Sequence, residues 1–326
     1  MSPPEARHGI TVPFDRVPLH APRELIEEVA DLGYTDAWSM EADGTDAFTP
    51  LVLTSVWAPS MRLGTAIVPA YTRGPALLAQ SVGSLAQAAP GRVVLGLGAS
   101  SDIIVERWNG LEFAEPYRRV RDTVRFLRAA LTGEKVTEAY DTFSVRGFRL
   151  GASAVPEQPV PILVAALREG MLNLAGREAD GTIVNWLSAG DVATVAPIVR
   201  AHGADKEIVA RIFVAPSEDT ETVRAQARHG IATYVNVPVY RAFHEWLGRG
   251  PLLQPVWDAW DAGDRAAALA AIPDEVVDDL IVHGSYEECR AHIQRYVDNG
   301  VSTTAPVIMP LADVDVRDAV RRLAPS

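Results

Sequence analysis

Short runs of β-branched and other apolar residues alternate along this chain with longer segments whose apolar positions return every three or four residues. The runs "HGITVPF", "TDAWSM", "RLGTAIVPA", "RVVLGLG", "VPILVAA", "GTIVNWL", "ARIFVA" and "TTAPVIM" are too short for helices and are mostly apolar on both faces, as strands of a parallel sheet covered on two sides are. Between them, "APRELIEEVADLG" predicts a helix opened by Pro22 and closed by Gly33, with Leu25, Ile26, Val29 and Leu32 on one face. The segment "PYRRVRDTVRFLRAALTG" repeats the design, with Pro116 near its start, a stripe of Val120, Val124, Leu127 and Leu131, and Gly133 at its end.

Strand and helix recur together about eight times, which leaves a doubly wound sheet or a closed (β/α)8 TIM barrel, and the count favours the barrel. Residues 1–326 read as a single domain without linker, repeat or low-complexity tract. Two stretches interrupt the rhythm. Residues 134–159 carry the alternating "AYDTFSVRGFRL", a hairpin inserted before the fifth strand, and residues 239–278 read as extra helices inserted before the eighth. Insertions of this kind commonly shape a substrate pocket on the C-terminal rim, and Trp246, Trp257 and Trp260 in the second would serve either an apolar pocket or packing between helices.

Composition narrows the partners. A net charge of −12 with only Lys135 and Lys206 as lysines argues against nucleic acid and for a small-molecule substrate. The start, "MSPPEARHGITVPF", has no basic and apolar leader and no later stretch would span a bilayer, so the expectation is a cytoplasmic protein away from membranes. Cys289 is the only cysteine and reads as a buried thiol; the seven histidines are scattered, so no metal site is expected.

In a barrel the chemistry sits at the C-terminal strand ends. These carry Ser39, Met40 and Glu41; Pro69, Tyr71, Thr72 and Arg73; Gly98, Ala99, Ser100 and Ser101; Ala165, Ala166 and Leu167; and Asn185 and Trp186. Backbone amides, small residues and an indole with few ionisable groups suit a flat organic cofactor that brings its own chemistry, although an ordinary rim would look the same. "GRVVLGLGAS" lacks the third glycine of a dinucleotide-binding turn, since Ser101 stands there. Gly96 and Gly98 would admit a ring or a phosphate, or else relieve crowding. The helix start after the fifth strand, with Arg168, could hold a phosphate. Glu41 is the candidate for proton transfer, or a pairing partner for a neighbouring loop.

The stretch from "MRLGTAIVPAYTRGPALLAQSVGSLAQAAPGRVVLGLGASSDIIVERWNG" through "PYRRVRDTVRFLRAALTGEKV", with "AALREGMLNLAGREADGTIVNW" and "HGSYEECRAHIQRYVDNGV", resembles the luciferase-like monooxygenase superfamily, in particular its coenzyme F420-dependent oxidoreductase branch. The resemblance covers most of the chain. It implies a bacterial-luciferase-like TIM barrel, usually a homodimer, holding F420, or alternatively FMN, at the C-terminal rim. It also implies a non-prolyl cis peptide within Thr65, Ala66 and Ile67, most plausibly Ala66–Ile67, behind the ring, with Ser39 and Val68 beside it. By the same matching Gly98, Ala99, Ser100 and Ser101, and Ala165, Ala166, Leu167, Arg168 and Gly170, would bind the cofactor tail, with Asn185 and Trp186 near the ring. Glu41 falls where the family's sugar-phosphate dehydrogenases carry histidine, Met40 replaces their aspartate, and the lysines that would grip a sugar phosphate are missing. The implied activity is hydride transfer between the C5 of F420 and a small organic substrate. An FMN-dependent monooxygenase using reduced flavin and oxygen, and a non-catalytic flavin- or deazaflavin-binding barrel, are the alternatives.

Overall fold

The computed structural model describes residues 6–325, so the first five residues of the segment read as lacking a leader lie outside the described residues, as does Ser326. In chain order the strands are β1 Arg7–Thr11, β2 Asp36–Ser39, β3 Arg62–Thr65, β4 Val68–Pro69, β5 Val93–Gly98, β6 Val136–Ala139, β7 Ser144–Phe148, β8 Ile162–Ala165, β9 Gly181–Val184, β10 Glu207–Ala215, β11 Ile281–His283 and β12 Thr303–Ile308. Eight of them pair in parallel in the order β1, β2, β3, β5, β8, β9, β10, β12, and β12 returns to β1, closing the barrel that the apolar runs predict. The two helices read from periodicity form as Arg23–Asp31 and Pro116–Ala130, burying Leu25, Ile26 and Val29 in the first and Val120, Val124 and Leu127 in the second. Among the described residues no helix is long and apolar enough to cross a membrane.

The N-terminal end of the barrel is closed by charge. Arg62 binds Glu207 through Nη1 at 3.0 Å and Nη2 at 2.5 Å and also pairs with Asp36; Arg7 Nε reaches Asp36 at 2.8 Å, and Thr303 Oγ1 donates to Glu207 at 2.6 Å. Above this plug Trp38 lies across the interior, wholly buried. Gly64 makes room for it, because a Cβ there would stand 2.2 Å from the indole.

Both insertions are present. The hairpin β6–β7 is antiparallel and stands apart from the barrel sheet. The second supplies helices Pro238–Trp246, Gly250–Asp261, Arg265–Ala270 and Asp274–Leu280, which build a separate apolar core with the helix Thr220–Val235 that follows β10. Trp257 belongs to that core, its indole N–H donating to the Val235 carbonyl at 3.0 Å, and so serves packing; Trp246 stacks on Phe243, and Arg265 covers Trp260. One element was not expected: after the inserted helices β11 takes the edge of β10 at Phe213–Ala215, above the stretch where β9 pairs, before the helix Tyr286–Asp298 leads to β12. Three residues are too few to show a strand period. Cys289, in that helix, is fully buried as expected, and burial pushes its thiol up to about 12.

Candidate active site

The third barrel strand does not run straight through. β3 pairs with β5 at Leu63 and Gly64, the chain then bulges at Ala66 and Ile67, and β4 resumes pairing with Leu97 and Gly98 of β5. The peptide bond Ala66–Ile67 is cis, at the position where the resemblance places one. Three neighbours hold the bulge. The Ala66 amide donates to the Ser39 carbonyl at 2.5 Å, the Glu41 amide donates to the Ile67 carbonyl at 3.1 Å, and Thr65 Oγ1 both accepts from the Gly96 amide and donates to the Gly96 carbonyl, each at 2.8 Å. The glycines of β5 follow from this. A Cβ on Gly96 would lie 1.9 Å from the Thr65 carbonyl oxygen, and one on Gly98 would meet Ile67 at 2.9 Å and Ala165 at 3.0 Å. Crowding by the bulge, one of the two readings open in the sequence, accounts for both.

Ser39 and Val68 are fully buried beside the bulge, and the Ser39 hydroxyl has no hydrogen-bond partner among the described residues. Glu41 lies beside it at the rim. Its carboxylate accepts from Arg73 at 2.8 and 3.2 Å, from the Thr72 hydroxyl at 3.4 Å and from the Ala47 amide at 3.3 Å. Through these contacts Glu41 ties the loop after β2 to the loop after β4.

Across β5 and β8 the expected cofactor residues converge. Ala99, Ser100 and Ser101 are half-buried at the end of β5, with Ser100 in the left-handed region at φ 67° and Ser101 Oγ accepting from the Ile104 amide at 3.4 Å. Beyond β8, Ala165 and Leu167 are half-buried, Ala166 is buried, and Arg168 and Gly170 are exposed at the start of the helix Glu169–Glu178. No side chain caps that helix, so its first amides stay available to an acceptor.

Trp186 departs from the expectation. Its backbone is left-handed at φ 52°, an outlier for so bulky a residue. The indole is 3% exposed, stacks on Phe213 at 4.1 Å and packs tilted against Tyr234 at 4.5 Å. Its contacts are those of a core residue. Asn185 is half-buried and its side-chain oxygen accepts from the Tyr240 hydroxyl at 3.4 Å.

Sequence reasoning passed over three groups that the structure brings to this mouth: Arg211 on β10, and Tyr234 and Tyr240 from the helices Thr220–Val235 and Pro238–Trp246. A signal for the first existed. In "EIVARIFVA" every second residue from Val209 faces the interior, so Arg211 is a charge inside an otherwise apolar strand.

Comparison with known proteins agrees with this architecture. The family model described as luciferase-like monooxygenase matches residues 4–303. A Mycobacterium tuberculosis protein named as a coenzyme F420-dependent oxidoreductase is 27% identical, covering 90% of this chain and 92% of its own. The solved coenzyme F420-dependent tetrahydromethanopterin reductase from Methanopyrus kandleri superposes with a TM-score of 0.79 at 18% identity, covering 98% of this chain and 97% of its own. The oxygenating component of 3,6-diketocamphane monooxygenase from Pseudomonas putida, solved with FMN, gives 0.68 at 13% identity, with 98% and 97% covered.

Proposed function

This chain belongs to the luciferase-like monooxygenase family, and from that premise we propose that it is an oxidoreductase using coenzyme F420, exchanging a hydride with a small organic substrate at the C-terminal mouth of its barrel. The observation that carries the reading is the composition of the rim. Among the residues expected there, the ionisable ones are a carboxylate tied into an ion pair, its partner Arg73, the exposed Arg168, and the Tyr71 phenol, which donates to the Ala114 carbonyl. A mouth so poor in acid–base groups depends on a bound organic group for its chemistry. The F420-dependent name of the 27% identical relative supports a deazaflavin over a flavin.

The residues fit such a cofactor. The uncapped helix start at Glu169, together with Arg168, Ser100 and Ser101, offers amides, a cation and hydroxyls to a phosphate-bearing tail. The bulge at Ala66 and Ile67, backed by the buried Val68, gives a planar ring a shaped apolar seat. When bound, F420 supplies the hydride acceptor or donor. The chain supplies position: the seat fixes the ring, the inserted helices and the tyrosines they carry wall the mouth, and the reacting carbons are held together away from bulk water.

Under anaerobic conditions the protein is expected to change the visible absorbance of F420 when given a suitable alcohol or carbonyl compound, with no oxygen requirement. Turnover seen only with reduced FMN and oxygen would instead mark a flavin monooxygenase. Glu41 tests its own role. As an anchor it should tolerate Glu41→Gln with turnover within about threefold, whereas Glu41→Ala, which frees Arg73 and the loop after β2, should lower turnover at least tenfold. Loss of about 100-fold or more in both variants would mark it as the proton-transfer group.

A further inference from the structure

Charges that the fold draws inward are otherwise paired, as Arg62 and Arg249 show. Arg62 has Asp36 and Glu207, and Arg249 lies 2.8 Å from both Asp191 and Asp279. Arg211 has none. It is 7% exposed, its Nε is buried with no hydrogen-bond partner among the described residues, and the groups that act electrostatically on it are the phenols Tyr234 and Tyr240, with no carboxylate among them. Burial without a counter-ion holds its guanidinium below the ordinary arginine range. A lone charge in a protein interior is costly, and a fold has no structural use for one that pairs with nothing.

Its position is not arbitrary. Val209, Arg211 and Phe213 share the inner face of β10, while Ile208, Ala210, Ile212 and Val214 pack outward against the helices. Register with β9 puts Arg211 level with Asn185, and with β12 opposite Ala305. In the closed strand order β3, β5, β8, β9, β10, the strand bearing Arg211 stands four places from β3, half-way round the eight-stranded barrel. The strand that carries Arg211 therefore stands across the barrel from the strand that carries the bulge, and the guanidinium Cζ lies 5.7 Å from the Phe213 ring centre. In the same aromatic cluster the indole N–H of Trp186 is also buried without a partner. Among the described residues this aromatic cluster thus holds two N–H groups without acceptors and one positive charge without a counter-ion.

We propose that Arg211 is the counter-ion for a carboxylate carried by the substrate, so that this protein acts on organic monocarboxylates whose reacting carbon points toward the bulge. This rests on the reading of the bulge as the cofactor seat. A single guanidinium neutralises one charge; a phosphate dianion would leave a buried negative charge behind. The flat fork of arginine also matches the two oxygens of a carboxylate.

The test uses the full-length protein with and without F420, and takes hexanoate, cyclohexanecarboxylate and benzoate as probes, each against its amide, in calorimetric titration. Wild type should bind at least one acid at least tenfold more tightly than its amide. Arg211→Met should abolish that preference and Arg211→Lys should keep part of it. Because the unpaired charge opposes folding, Arg211→Met should also melt a few degrees above wild type when no ligand is present, which a merely structural arginine would not do. Equal binding of acids and amides, binding of none, or a lower melting temperature for Arg211→Met would each overturn the proposal. So would loss of F420 affinity of tenfold or more in Arg211→Met, since the anion partner would then be the cofactor. If wild type selects acids yet binds no F420, the carboxylate site stands and the cofactor reading falls.

Discussion

Arg62→Met is expected to lower the free energy of unfolding by about 3–5 kcal/mol at neutral pH, because it strands two buried carboxylates at the closed end of the barrel. Asp36 has no exposed side-chain surface and Glu207 only 18%, and both depend on this guanidinium. Water cannot take over at Asp36, which keeps one hydrogen bond each from Arg7 and the Thr35 hydroxyl, and Glu207 keeps one from Thr303. The dependence on pH carries a sign. Burial pushes the Glu207 carboxyl up, but its hydrogen bonds and charge contacts with Arg62, assisted by Thr303 and Arg7, outweigh that and hold it below the usual carboxylate range. A depressed carboxylate stabilises the fold above its unfolded value, near 4.3, and that contribution disappears as the pH falls through the folded value. In the variant only Thr303 and Arg7 would be left to oppose burial, so the Glu207 carboxyl would move up toward its neutral form. Urea unfolding of the two proteins from about pH 7 to about pH 4 should therefore show their difference shrinking as acid is added. A difference under about 1 kcal/mol at neutral pH would mean that the plug is ornamental to stability.

Gly96→Val is expected to cost at least about 3 kcal/mol, at the upper end of overpacking penalties, because its first added atom collides with main chain. The Cβ would stand 1.9 Å from the Thr65 carbonyl oxygen and 2.3 Å from Ile183 Cδ1. Thr65 is locked to Gly96 by two hydrogen bonds and leads directly into the bulge, so the clash cannot be relieved without moving the cofactor seat. Gly98→Ala meets only side-chain atoms, at 2.9–3.0 Å, and should cost far less. Thermal denaturation of both variants checks this; a Gly96→Val protein melting within about 2 °C of wild type would show that β5 and the bulge are not coupled as described.

The barrel was legible because runs apolar on both faces, separated by one-faced helices, have few packings open to them. The breaks in the rhythm at residues 134–159 and 239–278 became the hairpin and the inserted helices. The site was less legible, since its details depend on which loops meet. Glu41 and Arg73 both stood among the strand-end residues, but nothing local announces that the loops after β2 and β4 come together. Trp186 sits at a strand end, as expected of a residue near a ring; its left-handed backbone and the helix after β10 that bears Tyr234, neither marked in its own neighbourhood, make it part of a core. Arg211 was missed because the apolar run was read from Ala210, where an arginine looks like an edge residue. The strand begins at Glu207 and carries it inside.

The account's central claim is most directly tested by titrating the cofactor-free protein with F420 and, separately, with FMN, following ligand fluorescence. Micromolar or tighter binding of F420, with FMN at least tenfold weaker, is the predicted result. Preference for FMN would contradict it and turn the same mouth into the site of a flavin monooxygenase.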